Sequence, residues 1–239
     1  MRIFLAGATG AIGRRLVPLL ISAGHEVTGV TRSAQAARDL QAAGVRPAHV
    51  DVYDAAALTR AAIDAKPEVV IHQLTDLPRS FDAKEVAAAY ARNARIRIEG
   101  TRNMVATANA AGARRFIVQS IAFAYAPGRE PYGEDDPLNL ADGPRVETVR
   151  GAADMERQVL ESGMEGIALR YGLFYGPGTW YGESGPKPSV HIDAAAQAAV
   201  LALDRGRPGI YNIADDNGGV SIEKARRELG FDPAFRLPV

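Results

Sequence analysis

A glycine-rich heptad, Gly7-Ala-Thr-Gly10-Ala-Ile-Gly13, lies between a short apolar run (Ile3 to Ala6) and a stretch with helical spacing of Ile12, Leu16, Leu19 and Leu20. A strand that passes into a helix through such a turn opens a βαβ unit of the dinucleotide-binding kind. Gly7 permits the tight turn, Gly10 lets the backbone approach a pyrophosphate, and Gly13 lets the helix pack closely on the sheet. Free N–H groups at the helix end, with the helix dipole behind them, then favour the phosphate charge. Thr9, Ala11 and Ile12 complete the expected cofactor turn.

The rest of the chain continues the pattern. Strand-like runs at Val27 to Val30, Ala48 to Val50, Val69 to Ile71, Arg115 to Gln119 and Ile167 to Leu169 alternate with helical stretches. The helices are expected at about Ser33 to Ala43, after Asp54 as N-cap, Asp82 to Ala111, Gly151 to Ser162, and after Asp193. Repeated β-then-α order predicts an α/β Rossmann-type fold, a doubly wound parallel sheet. The expected division is a nucleotide-binding domain over residues 1–178 and a small, partly integrated substrate-side segment over 179–239. The region from Pro127 to Pro144, rich in Pro, Gly and acids, reads as a surface loop.

Composition narrows the function. Lys plus Arg and Asp plus Glu each number 28, so no basic field exists to attract nucleic acid or an anionic membrane. The opening residues resemble a secretion signal only until Gly7 interrupts them, and no apolar stretch approaches the roughly 20 residues of a membrane helix. The chain has no cysteine, which removes disulfides, thiolate catalysis and cysteine-bound metal, and fits a reducing cytoplasm. No metal site is expected.

The choice of nucleotide turns on the end of the second strand. NAD sites carry an acid about 20 residues beyond the glycines, bonded to the ribose, whereas NADP sites place a basic residue there. Here the strand ends Val30-Thr31-Arg32-Ser33. Arg32 is suited to a charge-assisted fork to a 2′-phosphate, with Thr31 or Ser33 as added donors. NADP is therefore expected over NAD.

These pieces resemble the short-chain dehydrogenase/reductase superfamily, in its extended or atypical NAD-dependent epimerase/dehydratase branch. The matching segments include the heptad, Asp51-Val52, Val69-Val-Ile-His-Gln73, Glu99-Gly-Thr-Arg-Asn103 and Arg115-Phe-Ile-Val-Gln-Ser120. Leu169-Arg-Tyr-Gly-Leu-Phe-Tyr-Gly-Pro-Gly178, His191-Ile-Asp193 and Lys224-Ala-Arg-Arg-Glu-Leu-Gly230 follow in the family's order. The resemblance implies adenine contacts at Asp51 and Val52, and cofactor contacts at Gln73, Leu74, Ser120 and Tyr171.

The family's catalytic pattern does not carry over. Its members use a Ser or Thr with a Tyr-x-x-x-Lys pair, in which lysine lowers the tyrosine's pKa for proton exchange. No tyrosine here is followed four residues later by lysine. Anchored on Glu156, the pair falls on Thr148 and Ala152, and the usual serine position falls on Ile121, one place after Ser120. Ser120, Tyr125 and Tyr171 are the candidate catalytic hydroxyls instead. His72 reads as a core residue, Asp193 as a helix N-cap, the run Glu134, Asp135, Asp136 as a solvated loop, and Arg97, Glu99 and Arg102 as an exposed or dimer-facing helix surface.

The leading expectation is an NADP(H)-dependent oxidoreductase acting on a small substrate. The alternatives are a non-catalytic NADP(H)-binding redox regulator and an epimerase or dehydratase. A homodimer is expected on the helices around Glu99 to Ala111 and Gly151 to Ser162. Only twelve residues, Thr179 to Val190, separate the Gly176-Pro-Gly178 turn from His191, so the substrate site should be small.

Overall fold

The structure is a computed structural model that describes residues 1–77, 83–141, 143 and 145–238. Strand β1 (Arg2–Ala6) is buried from Ile3 onward, and the strand at Val69–His72, β4, is buried throughout. Strands apolar on both faces need helices on both sides, which parallel crossovers supply. Between these two strands run α1 (Ala11–Ser22), β2 (Glu26–Thr31), α2 (Ala34–Ala42), β3 (Arg46–His49) and α3 (Ala55–Ala65). Next come α4 (Ala83–Arg95), a π-helical turn (Ile96–Gly100), α5 (Thr101–Ala110), β5 (Arg115–Ile121), α6 (Val146–Leu160) and β6 (Glu165–Tyr171). The chain closes with β7 (Leu173–Tyr175), β8 (Ser189–His191), α7 (Ile192–Leu201), β9 (Gly209–Ile213) and α8 (Glu223–Leu229).

Seven strands form one parallel sheet, ordered β3-β2-β1-β4-β5-β6-β9. The order reverses between β1 and β4, and a ligand crevice lies outside the strand ends at such a switch point. One apolar core lies under α1 and α7, the other under α3, α5 and α6. The doubly wound fold is as expected from the sequence. Strand β9 pairs with β6, so the main sheet runs across residue 178 into the C-terminal segment. Among the described residues no helix is long and apolar enough to cross a membrane.

Several boundaries differ from expectation for local reasons. Asp54 caps α3 as expected, accepting from Ala57 N, whereas Ser33, expected as about the first residue of α2, stands outside it as its cap and accepts from Ala36 N. Helix α6 begins at Val146, not Gly151; burial of Thr148 and Val149 overrides the weak helix propensity of β-branched residues. The long helix expected from Asp82 to Ala111 is interrupted by the π-helical turn, and Asp82 lies outside the described residues, as does Pro144. Asp193 is not the cap of α7: His191 is, its Nδ1 accepting from Asp193 N at 3.2 Å. The Asp193 carboxylate instead binds Arg15 Nε at 2.5 Å and Leu237 N at 3.1 Å, tying α1 and the C-terminal segment to α7.

The glycines of the heptad divide into two kinds. Gly7 has φ of +94°, and a Cβ there would stand 2.6 Å from the Gln73 carbonyl oxygen. A Cβ on Gly13 would stand 2.2 Å from the Gly7 carbonyl oxygen. Gly10 is under no such constraint: its φ is −73°, and its Cβ would meet only the Gly7 oxygen, at 3.4 Å. The fold itself therefore requires glycine at 7 and 13 and not at 10. Gly13→Ala is expected to cost roughly 2 kcal/mol or more through overpacking. Gly10→Ala should cost less than about 1 kcal/mol, the difference between two helix-cap residues. Urea unfolding of both variants checks this, and equal losses would contradict it.

Candidate functional site

The glycine turn leaves α1 with an open N-terminus. Gly10 and Ala11 are exposed, and no side chain caps the helix. The first N–H groups of a helix have no partner within it, so they present donors to whatever lies above. Thr9 is half-buried and its carbonyl accepts from Arg14 Nε, whereas the Ile12 side chain is in the core. Gln73 stands beside the turn, where its N–H donates to Ala6 O at 2.8 Å. Both polar atoms of its side-chain amide are buried without a partner. The Tyr171 hydroxyl is likewise buried and unpartnered, and it lies against that amide without a well-aligned hydrogen bond. Burial pushes the Tyr171 phenol well above its ordinary range, with Gln73 opposing only in part. A cradle that the protein does not fill and three orphaned polar atoms beside it suit a ligand with amide and phosphate groups.

A second group gathers at the ends of β2 and β3. Arg32 is exposed, its Nη1 3.8 Å from Asp51 Oδ2. Ser33 is engaged as the α2 cap, and its N–H donates to Thr31 Oγ1 at 3.2 Å. Asp51 Oδ1 accepts from Tyr53 N at 2.9 Å, and Val52 is buried, its carbonyl accepting from Asn103. Leu74 is half-buried and donates its N–H to His72 Nδ1 at 3.2 Å.

The candidate hydroxyls on the other side are already engaged. Ser120 is fully buried and donates to Glu156 Oε1 at 2.5 Å. Arg170 grips the same carboxylate with two bonds, Nε to Oε1 at 2.8 Å and Nη2 to Oε2 at 2.7 Å. Its Nη1 donates to the Tyr125 hydroxyl at 2.9 Å and to Glu134 O at 3.0 Å. The Tyr125 hydroxyl donates in turn to Asn212 Oδ1 at 2.7 Å, and its ring stacks on Tyr132 at 5.2 Å. Burial raises the Tyr125 phenol, and the Arg170 charge only partly offsets this. Desolvation works against the Arg170 charge, but the bonds and charge of Glu156 outweigh it and raise its pKa. Glu134 is thus not the solvated loop residue of the sequence reading: its Oε1 also accepts from Asn212 N at 2.8 Å.

In the place of the family's tyrosine and lysine stand Thr148, 5% exposed with its Oγ1 unpartnered, and Ala152, fully buried. The residue that sequence reasoning missed is Arg97. Expected on an exposed or dimer-facing helix surface, it is 4% exposed within the single chain, and its Nη1 donates to Thr148 O at 2.8 Å. The π-helical turn adds a residue to the helical repeat and so defeats register counting at 3.6. His72 is fully buried as expected, but its Nε2 has no partner. Burial, followed by the Arg97 charge, lowers its pKa to about 4. Among the described residues no cluster of three or more His, Asp or Glu is placed to hold a metal ion.

The NAD dependent epimerase/dehydratase family matches residues 3–188. A 3-diazoavenalumate denitrifying reductase from a Streptomyces species is 38% identical over 263 aligned positions, covering all of this chain and 84% of that protein. A dTDP-4-dehydrorhamnose reductase from Streptomyces griseus is 31% identical, over 87% of this chain and 60% of that protein. Among solved structures, UDP-glucose 4-epimerase of Thermotoga maritima, crystallised with UDP-glucose, has a TM-score of 0.81 at 20% identity, across 99% of this chain and 94% of that one. WbmG of Bordetella bronchiseptica, in complex with NAD, has a TM-score of 0.79 at 21% identity, across 99% and 90%. At those identities the structural likeness bears on the fold.

The buried Glu156–Arg170 pair should be the costly one to break. Glu156→Gln leaves the Arg170 charge buried with neutral partners, at an expected loss of about 3–5 kcal/mol. Thermal unfolding checks this; a change under about 1 kcal/mol, the value of a surface pair, would contradict it.

Proposed function

This chain belongs to the NAD dependent epimerase/dehydratase family, and from that premise we propose that it is an NADP(H)-dependent reductase of a small substrate. The observation that carries the cofactor is Gly10, a glycine that the fold does not need, exposed at an uncapped helix N-terminus. When bound, the cofactor supplies a hydride. Gly7 to Gly13 hold its phosphates on backbone donors, and Gln73 and Tyr171 offer their free polar atoms beside the turn.

The preference for NADP(H) rests on Arg32. Its only ionic partner among the described residues is Asp51, at 3.8 Å and 41% exposed, a weak competitor for a phosphate. Loss of the charge-assisted contact in Arg32→Ala should weaken NADPH by about 10- to 150-fold, roughly 1.5–3 kcal/mol. NADH binding should barely change. Calorimetric titration of both cofactors decides, and equal affinities in the parent protein would count against the assignment.

The substrate class follows from what the site lacks. Ser120 and Tyr125 are spent on Glu156 and Asn212, the relay positions hold Thr148 and Ala152, and burial pushes the free Tyr171 phenol well above its ordinary range, which makes it a poor acid. A carbonyl reductase needs a proton donor, whereas a diazonium carbon does not. The hydride pair forms the new C–H bond, the C–N pair leaves with dinitrogen, and no proton is consumed. The 38% identity with a reductase named for a diazo substrate and denitrification supports this reading. A cleft of about 140 Å³ beside Phe123, Tyr125, Arg145 and Val149 has room for a compact group. The test is incubation of an aryldiazonium salt with deuterated NADPH, measured above the rate with cofactor alone. Deuterium in the arene with stoichiometric N₂ is expected. No acceleration, with turnover of quinones or carbonyls instead, would refute the substrate class. No turnover of either kind, with cofactor bound, would favour a non-catalytic regulator.

The assembly is proposed to be a homodimer. A groove of about 440 Å³ runs along the outer face of α4, the π-turn and α6, between Ile98, Arg102, Asp154 and Gln158. It carries both charges, as an isologous interface requires. Light scattering should return twice 25.4 kDa at micromolar protein, and a monomer would contradict the proposal.

A further inference from the structure

Arg97 is a buried cation that the described protein does not neutralise. Glu156 is the acid whose charge reaches it. Both Glu156 oxygens, however, are taken by Arg170 and Ser120. No carboxylate lies within ion-pair distance of Arg97 among the described residues. Burial, opposed in part by the Glu156 charge, lowers its pKa to about 10, which leaves it charged at neutral pH.

Apart from the Thr148 carbonyl that it holds, the unpartnered polar groups about it can each donate. His72 Nδ1 accepts from Leu74 N, so the neutral ring carries its proton on Nε2, which is buried and unpartnered. Thr148 Oγ1 is buried and unpartnered too, on the residue whose carbonyl Arg97 holds. Thr101, one turn beyond Arg97, has a second orphaned hydroxyl. His72 ends β4, at the sheet's switch point, and Thr148 lies in the first turn of α6. Buried polar groups without partners are rare, and an unpaired charge among donors calls for an acceptor.

We propose that Arg97, His72 Nε2 and Thr148 Oγ1 form a binding site for an anionic oxygen of the substrate, a carboxylate or phenolate. The cation reaches this site from the π-turn, where the family draws its own from α6. Thr148 offers its hydroxyl where the family has a tyrosine. The identity of the oxygen's owner rests on the reductase reading; the anion site itself does not.

The experiment separates the two. Crystals of the full chain without cofactor, soaked in sodium bromide, should give an anomalous peak within hydrogen-bond reach of the Arg97 guanidinium and His72 Nε2. The peak should vanish in Arg97→Met and persist in Arg97→Lys. Thr148→Val, which keeps the cation, should lower its occupancy and guards against a misfolded Arg97→Met. Titration with benzoate and with 4-nitrophenolate then distinguishes the carboxylate from the phenolate. At least one should bind the parent ten-fold or more tightly than Arg97→Met. A parent crystal without the peak, a peak unchanged in Arg97→Met, or failure of both organic anions to bind the parent would overturn the proposal. An intact bromide site in a protein that binds no NADPH would instead refute the reductase reading alone.

Discussion

The first turn of α1 lies so close to the end of β1 that a methyl group at Gly13 would stand 2.2 Å from the Gly7 carbonyl. Much of the molecule is arranged around that approach. Gly7, at positive φ, is pressed in turn against the backbone of Gln73, which locks the end of β4 beside β1. Helix α1 can then lie flat on the sheet, with Leu16 and Leu20 fully buried, and reach α7 through Arg15 and Asp193. Close packing of helix on sheet leaves the helix end facing the crevice at the switch point, with Gly10 above it.

On the far side of the crevice a different constraint rules. Glu156 is held by Arg170 and Ser120, and Arg170 extends the network through Tyr125 and Glu134 to Asn212 of β9. Burying this pair costs desolvation, and its full set of hydrogen bonds compensates. The consequence is chemical: Ser120 and Tyr125, two of the three hydroxyls that the sequence nominates as proton donors, are committed to holding the carboxylate and its arginine. On the function proposed above, a reductase built on this frame would act by positioning and electrostatics, with an acceptor that needs little from a general acid.

The fold was legible because its signals are local. The heptad, the buried run at Val69 and the cap Asp54 each depend on a few adjacent residues. The site was legible on its glycine side and not on its polar side. Arg97 looks like a surface residue at any regular helical count, and only the π-turn brings it inward. Glu134 sits in an acidic run that reads as solvated, yet its bonds reach Arg170 and Asn212, 36 and 78 residues away. The His191 cap was mistaken for Asp193 because Asp is the commoner cap and the ring nitrogen occupies the same relation to the backbone. Long-range pairing and helix register are set by tertiary packing, which periodicity does not encode.

The central claim is that Gly10 is glycine for the sake of a dinucleotide. NADPH fluorescence titration of the parent and of Gly10→Ala, each first shown to unfold at the same urea concentration, tests it most directly. The account predicts one site per chain in the parent and at least a ten-fold weaker Kd in the variant, about 1.4 kcal/mol. Equal affinity in the two proteins, or no binding by the parent, would contradict it.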